Sequence, residues 1–219
     1  GDGQPMTRKM LELFAAHGMD EAMLRHMRAH LDSFVPRVSP LPEITVLGPE
    51  ETIGMGGRTW RVMQASGHAR GQLLFLDTAS GDLICGDQVL PVITPNVSVL
   101  PGFGENPLGE FLDSLERLAG LPARWAFPGH RDPFSHFSAR CGEIVRHHRE
   151  RLDRMSGMLA APVTAYDVCL RFFGENLSVH QLRFAMGETL SHLVFLHGEG
   201  TVRVLEEDGV KRWMLLRHP

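Results

Sequence analysis

The sequence predicts an α/β protein built of two units. Between residues 43 and 157, short runs of branched and aromatic residues alternate with amphipathic helical stretches, the pattern of a sheet covered by helices. After "GMLAAPVT" the composition changes, and residues 158–219 read as helices followed by one hairpin. With 219 residues and 43% hydrophobic content, the chain can build one ordinary core and one small one.

Each element has a local reason. Residues 1–42 read as a helical segment, grouped with the sheet as a first domain of residues 1–157. One helix covers about residues 6–16, and a second starts at Asp20, an N-cap before "EAMLRHMRAHLDSF". Met23, Leu24, Met27 and Leu31 give that second helix its apolar stripe, and the prolines of "VPRVSPLPE" end it. "ITVL", "TWRVMQA", "GQLLFLDT" and "DLICGD" then read as strands, separated by Gly-Gly and Ser-Gly-Asp turns. Asn106-Pro107 opens a helix in which Leu108, Phe111, Leu112 and Leu115 share a face. "ARWAFPGH" is a strand running into a loop, and a long helix spans about Ser138 to Met158. In residues 158–219, Thr164 with Asp167 and then Ser178 cap two helices, and Leu182, Met186, Leu190 and Leu193 form the second one's stripe. "TVRVLEEDGVKRWMLL" closes as a hairpin across Asp208-Gly209. Helices followed by a hairpin are the outline of a winged helix.

Composition excludes several classes of function. No run approaches the roughly 18 to 20 apolar residues a membrane helix needs, and no basic-then-apolar leader is seen, so no membrane partner and a cytoplasmic setting are expected. Cys85, Cys141 and Cys169 are odd in number and widely spaced, which suits buried thiols rather than disulfides or a cysteine zinc site. A net charge of −4 gives no general attraction to nucleic acid. Histidine is abundant, with 12 residues.

Chemistry concentrates at the strand ends. Gly-Asp occurs twice in "SGDLICGDQVL". The first pair lies in a hairpin bend, whereas the second follows the apolar strand "LIC", where the chain must leave the sheet. Five residues separate Asp82 from Asp87, so a regular strand puts them on opposite faces with different tasks. "QASGHARGQLLFL" and "WAFPGHRDP" place His68 and His130 in loops that also follow strands. Two imidazoles and a carboxylate on rigid supports make a donor set for zinc or a neighbouring first-row metal. His26 and His30, four apart on one helix, could also meet on one face, although surface histidines are the plainer account.

On these motifs the sequence resembles the metallo-β-lactamase-fold hydrolases, in the branch with a winged-helix tail related to glyoxalase II and the β-lactamase-like endoribonucleases. "GGRTWRVMQASGHARGQLLF", "LICGDQVL" and "AFPGHRDP" look like the family's third, fourth and fifth metal motifs. The resemblance implies an αββα sandwich with two divalent ions, zinc or else manganese or iron, at its edge. His68 would ligate the first ion, His130 the second, and Asp87 would bridge both. A water between the ions would then attack an ester, thioester, lactone or phosphodiester. The family's His-x-His-x-Asp-His motif is absent from residues 1–67, so the chain is expected to be the C-terminal part of such an enzyme, binding metal weakly or not at all and with little hydrolytic activity. The expected partners are a small-molecule substrate for the complete protein, and the missing N-terminal half or a second copy for this chain.

A competing function is a winged-helix module for nucleic acid or protein, or an RNA-processing nuclease. Residues 155–219 carry six Lys/Arg against seven Asp/Glu, and the hairpin tip "LEEDGV" is acidic where a phosphate-contacting wing is basic, so nucleic acid is the less favoured partner. The one basic cluster, Arg146, Arg149, Arg151 and Arg154, spreads around a helix. "LPGFGE", residues 100–105, reads equally as a loop over the site and as a solvent loop.

Overall fold

The computed structural model describes residues 5–34 and 43–216. The proline-rich break expected after the second helix lies outside the described residues over 35–42. The contacts divide the chain into two compact units: residues 44–97 with 107–150, and residues 1–43 with 98–106 and 151–219. The N-terminal helices, grouped with the sheet on sequence alone, therefore make their contacts with the C-terminal elements. The physical link is His17, whose main-chain oxygen accepts from Tyr166 N and whose ring accepts from Trp213.

The sheet unit holds β1 (Thr52–Met55), β2 (Arg58–Ala65), β3 (Gln72–Asp77), β4 (Asp82–Gly86) and β5 (Trp125–Pro128) in that spatial order. The first three pairings are antiparallel and β4–β5 is parallel. "ITVL" does not form the expected first strand. Ile44 and Val46 are 76% and 88% exposed, and β1 instead comes from Thr52–Met55, turned onto β2 by Gly56-Gly57. A branched run suits a strand only if one face finds cover, and these residues have none.

The sheet's two faces differ. Along one cross-strand row, Arg61, Leu76, Leu83 and Ala126 stand opposite one another, and the last three are at most 1% exposed. On the other face, Val62, Phe75, Ile84 and Phe127 form a row in which Val62 is fully buried and Phe127 is 39% exposed. Cover on that face thus runs out toward β5, where Trp125 is also exposed. Helix α3 (Pro107–Leu118) buries Leu108, Phe111, Leu112 and Leu115, the expected stripe. It meets the end of β2 through Ser114, whose hydroxyl accepts from Ser66 N, and Arg117, which donates to Gln64 O. Helix α4 (Phe137–Ser156) follows.

The other unit contains α1 (Pro5–Ala16), α2 (Glu21–Asp32), β6 (Val163–Thr164), α5 (Ala165–Phe173), α6 (Val179–Gly198), β7 (Val202–Glu207) and β8 (Val210–Leu215). The expected caps form: Asp20 accepts from Met23 N, Thr164 from Asp167 N, and Ser178 makes a reciprocal capping box with Gln181. Of the predicted stripe on α2 only Met27 is fully buried. Helix α6 is buried on nearly all sides over Leu182–Leu196, as a helix with neighbours all around must be. β6, β8 and β7 form an antiparallel sheet in that order. All three cysteines are buried and unpaired by disulfides. No helix among the described residues is long and apolar enough to cross a membrane.

Candidate metal centre

Because β2 and β4 are both antiparallel to β3, and β5 is parallel to β4, the strands β2, β4 and β5 run the same way. Their carboxyl ends therefore lie along one edge of the sheet. His68 follows β2, Asp87 follows β4 and His130 follows β5, so the topology delivers all three side chains to that edge. Crevices at the carboxyl ends of parallel strands are where α/β sheets gather polar groups.

A glycine precedes each of the three. Gly67 has φ +101, and a Cβ there would come within 2.5 Å of the Phe111 Cα, so only glycine lets the His68 loop lie against α3. A Cβ on Gly129 would lie 2.5 Å from Asp87 Oδ1, so the bare backbone is what brings His130 beside the carboxylate. Gly86 closes β4, where the register with β5 becomes irregular, and its carbonyl accepts from Gly129 N at 2.9 Å. Arg131, next to His130, takes φ +74, an uncommon conformation for a residue with a side chain.

The two oxygens of Asp87 are divided between the histidines. Oδ1 is 2.7 Å from His130 Nδ1, and Oδ2 is 3.9 Å from His68 Nε2. His68 Nδ1 is 2.8 Å from the Asn96 carbonyl oxygen. A carbonyl only accepts, so Nδ1 carries the proton and Nε2 keeps its lone pair, directed at the carboxylate side. Between His130 and Asp87 the carboxylate likewise accepts, and that shared proton is the one a cation would displace. The side chains of His68 and Asp87 are 27% and 28% exposed and that of His130 is 68% exposed, so the edge is open to solutes. Two imidazoles and a carboxylate with separated oxygens fit one or two first-row ions chemically, but three residues do not complete two four-coordinate shells.

Asp82 has the separate task its spacing implied. It accepts from Arg58 Nη1 at 2.6 Å, and that bond, against some desolvation, holds its carboxyl below the usual range. The neighbouring Asp77 is lowered first by the Ala79 N–H, with burial opposing. His30 faces His180 on α6, Nε2 to Nδ1 at 3.3 Å. It also packs edge-on against Phe34. The Asn96 carbonyl was not foreseen, because a main-chain acceptor leaves no mark in the residue sequence.

The sequence matches the metallo-beta-lactamase superfamily over residues 4–130 and the metallo-beta-lactamase-like C-terminal domain over residues 152–216. No relative among the curated proteins matches the chain. Two crystal structures are similar at TM-score 0.83: a metallo-beta-lactamase family protein from Thermus thermophilus, 32% identical, and a beta-lactamase domain protein from Burkholderia ambifaria, 33% identical. Each likeness covers 98% of this chain, which spans only 66% and 65% of those proteins' lengths. With the superfamily match reaching across more than half of the sequence, the chain belongs to the metallo-β-lactamase superfamily.

Proposed function

We propose that this chain supplies part of a two-metal hydrolytic centre, with His68 on one ion, His130 on the other and Asp87 joining them. One observation carries most of the weight: the Asp87 carboxylate lies between the two histidines, with one oxygen toward each, as suits a group that would join two ions. Bound divalent ions of the kind common in the superfamily, zinc in our reading, supply Lewis acidity and acidify a water toward neutral pH. The chain's own part is positional. Asp87 sets the spacing, the Asn96 carbonyl holds the His68 proton away from the ligand side, and the open edge admits a hydrolysable ester, thioester, lactone or phosphodiester.

The reaction assigned is hydrolysis, which would need ligands beyond these three to complete two shells. The half-covered sheet face near Trp125 and Phe127 suits the same view, since an αββα sandwich would lay a second sheet there. For residues 163–215 we propose a winged helix, supported by the strand order β6–β8–β7 with α5 and α6 before the hairpin. Its hairpin end, with Glu206 and Glu207 closing β7 and Asp208 in the turn, is acidic, which favours a protein-contacting tail over a nucleic-acid reader.

Elemental analysis and cobalt titration of the purified chain test this assignment. Well under two ions per chain and little hydrolysis are expected, with affinity falling at least ~10-fold in Asp87→Ala. Close to two ions per chain would overturn the incompleteness of the site. Unchanged binding in Asp87→Ala would overturn the ligand assignment itself.

A further inference from the structure

We propose that Arg140 is a positioning residue for His68, acting through the loop that carries Asn96; this rests on His68 being a metal ligand. Arg140 lies in the first turn of α4 and is only 9% exposed. Its guanidinium is committed to one stretch of main chain. Nε donates to Leu90 O at 2.7 Å, and Nη2 donates to Val92 O at 3.0 Å and Ile93 O at 3.1 Å. Nη1 donates to Glu143 Oε2 at 2.9 Å, which balances the charge.

These bonds do what the loop's own side chains at this point do not. Val92 and Ile93 are 74% and 46% exposed, so apolar burial does not fix the segment between Leu90 and Thr94. A planar cation bonded to three carbonyls fixes position and orientation together. Lysine has no such fork, so it cannot reproduce the arrangement.

The clamp lies close to the metal edge in sequence as well. Only Thr94 and Pro95 separate Ile93 from Asn96, a span of at most about 10 Å, and the proline ring removes one torsion from it. At its end the Asn96 carbonyl meets His68 Nδ1 at 2.8 Å. Pro95 and Val97 on either side of Asn96 are buried and hold the far end of the link, so releasing the clamp frees its near end, and a shift of the Asn96 carbonyl deprives Nδ1 of its fixed acceptor. The imidazole is then free to place its proton on Nε2, the nitrogen needed for the metal. A purely structural arginine would change stability and leave the His68 tautomer alone.

Nitrogen-15 NMR of the imidazoles in the metal-free full chain separates the two roles. Compared with wild type are Arg140→Lys, Thr94→Gly, which loosens the link while keeping the clamp, and Glu143→Gln, which keeps all three carbonyl bonds. In wild type and Glu143→Gln, His68 is expected to hold its proton on Nδ1. In Arg140→Lys and Thr94→Gly both tautomers are expected, with zinc affinity lowered about 10-fold or more. A His68 that keeps the Nδ1 proton in both of the latter variants overturns the proposal. Should Arg140→Lys not fold, Thr94→Gly decides by the same criterion. Metal binding left unchanged by Asp87→Ala fails the functional reading instead, and the tautomer comparison remains a separate result.

Discussion

At the scale of single residues, Gly129 states the cost of a side chain in the wrong place. Its missing Cβ leaves room for Asp87 Oδ1, which would otherwise be met at 2.5 Å. Gly129 is exposed and its φ is not positive, so alanine there creates neither backbone strain nor a core defect. Gly129→Ala should therefore change stability by less than about 1 kcal/mol. It should nevertheless weaken metal binding by at least ~10-fold, because the carboxylate must move. Wild-type affinity in a folded Gly129→Ala chain, read by cobalt titration, would contradict this account. That His68, Asp87 and His130 stand at strand ends was legible in the sequence, since a glycine and a polar residue after an apolar strand mark where the chain leaves a sheet. The pairing of each Asp87 oxygen with a different histidine was not legible, because it depends on strand direction and on the irregular register after Ile84.

At the scale of elements, His17 joins α1 to β8 and α5. It accepts from Trp213 Nε1 at 3.2 Å, stacks on that ring and accepts from Tyr166 N through its main chain. Burial, with a smaller contribution from Lys211, lowers its pKa from 6.5 to about 4. The unfolded chain thus takes up a proton below pH 6.5 that the folded chain refuses until about pH 4. Stability must fall as pH drops through that window, and this residue alone accounts for roughly 2–3 kcal/mol. Above pH 6.5 it contributes no pH dependence. His17→Asn can still accept from Trp213 but does not titrate, so between pH 7 and pH 4.5 its urea-derived stability should fall by roughly 2 kcal/mol less than wild type. Parallel losses in the two chains would mean that His17 is protonated in the folded state. This coupling escaped the sequence because His17 and Trp213 are almost the whole chain apart, and no local periodicity joins them. The caps at Asp20, Thr164 and Ser178 did not escape it, being decided within four residues. "ITVL" misled for the converse reason: branched residues signal a strand, but only a neighbour's edge makes one.

At the scale of the whole molecule, the sheet face that opens toward β5 is left only partly covered. Trp125 and Phe127 are 42% and 39% exposed on the edge strand, in cross-strand line with Asp82 and Ile84. Covering both rings would remove about 150–200 Å² of apolar surface from water, worth roughly 4 kcal/mol per chain before the cost of association. That driving force is enough to matter at micromolar concentration when two copies meet face to face, although area alone does not set affinity. Without a covering sheet the chain should therefore self-associate, and its sedimentation coefficient should rise with concentration. Trp125→Lys with Phe127→Lys places two like charges on the same face and should hold the chain monomeric across the same range, with its near-ultraviolet spectrum otherwise preserved. If wild type is already a compact monomer at every concentration, the face needs no cover and the assignment of a missing second sheet fails. If instead the double variant associates as strongly as wild type, the contact lies elsewhere, and the exposed rings are ordinary edge residues.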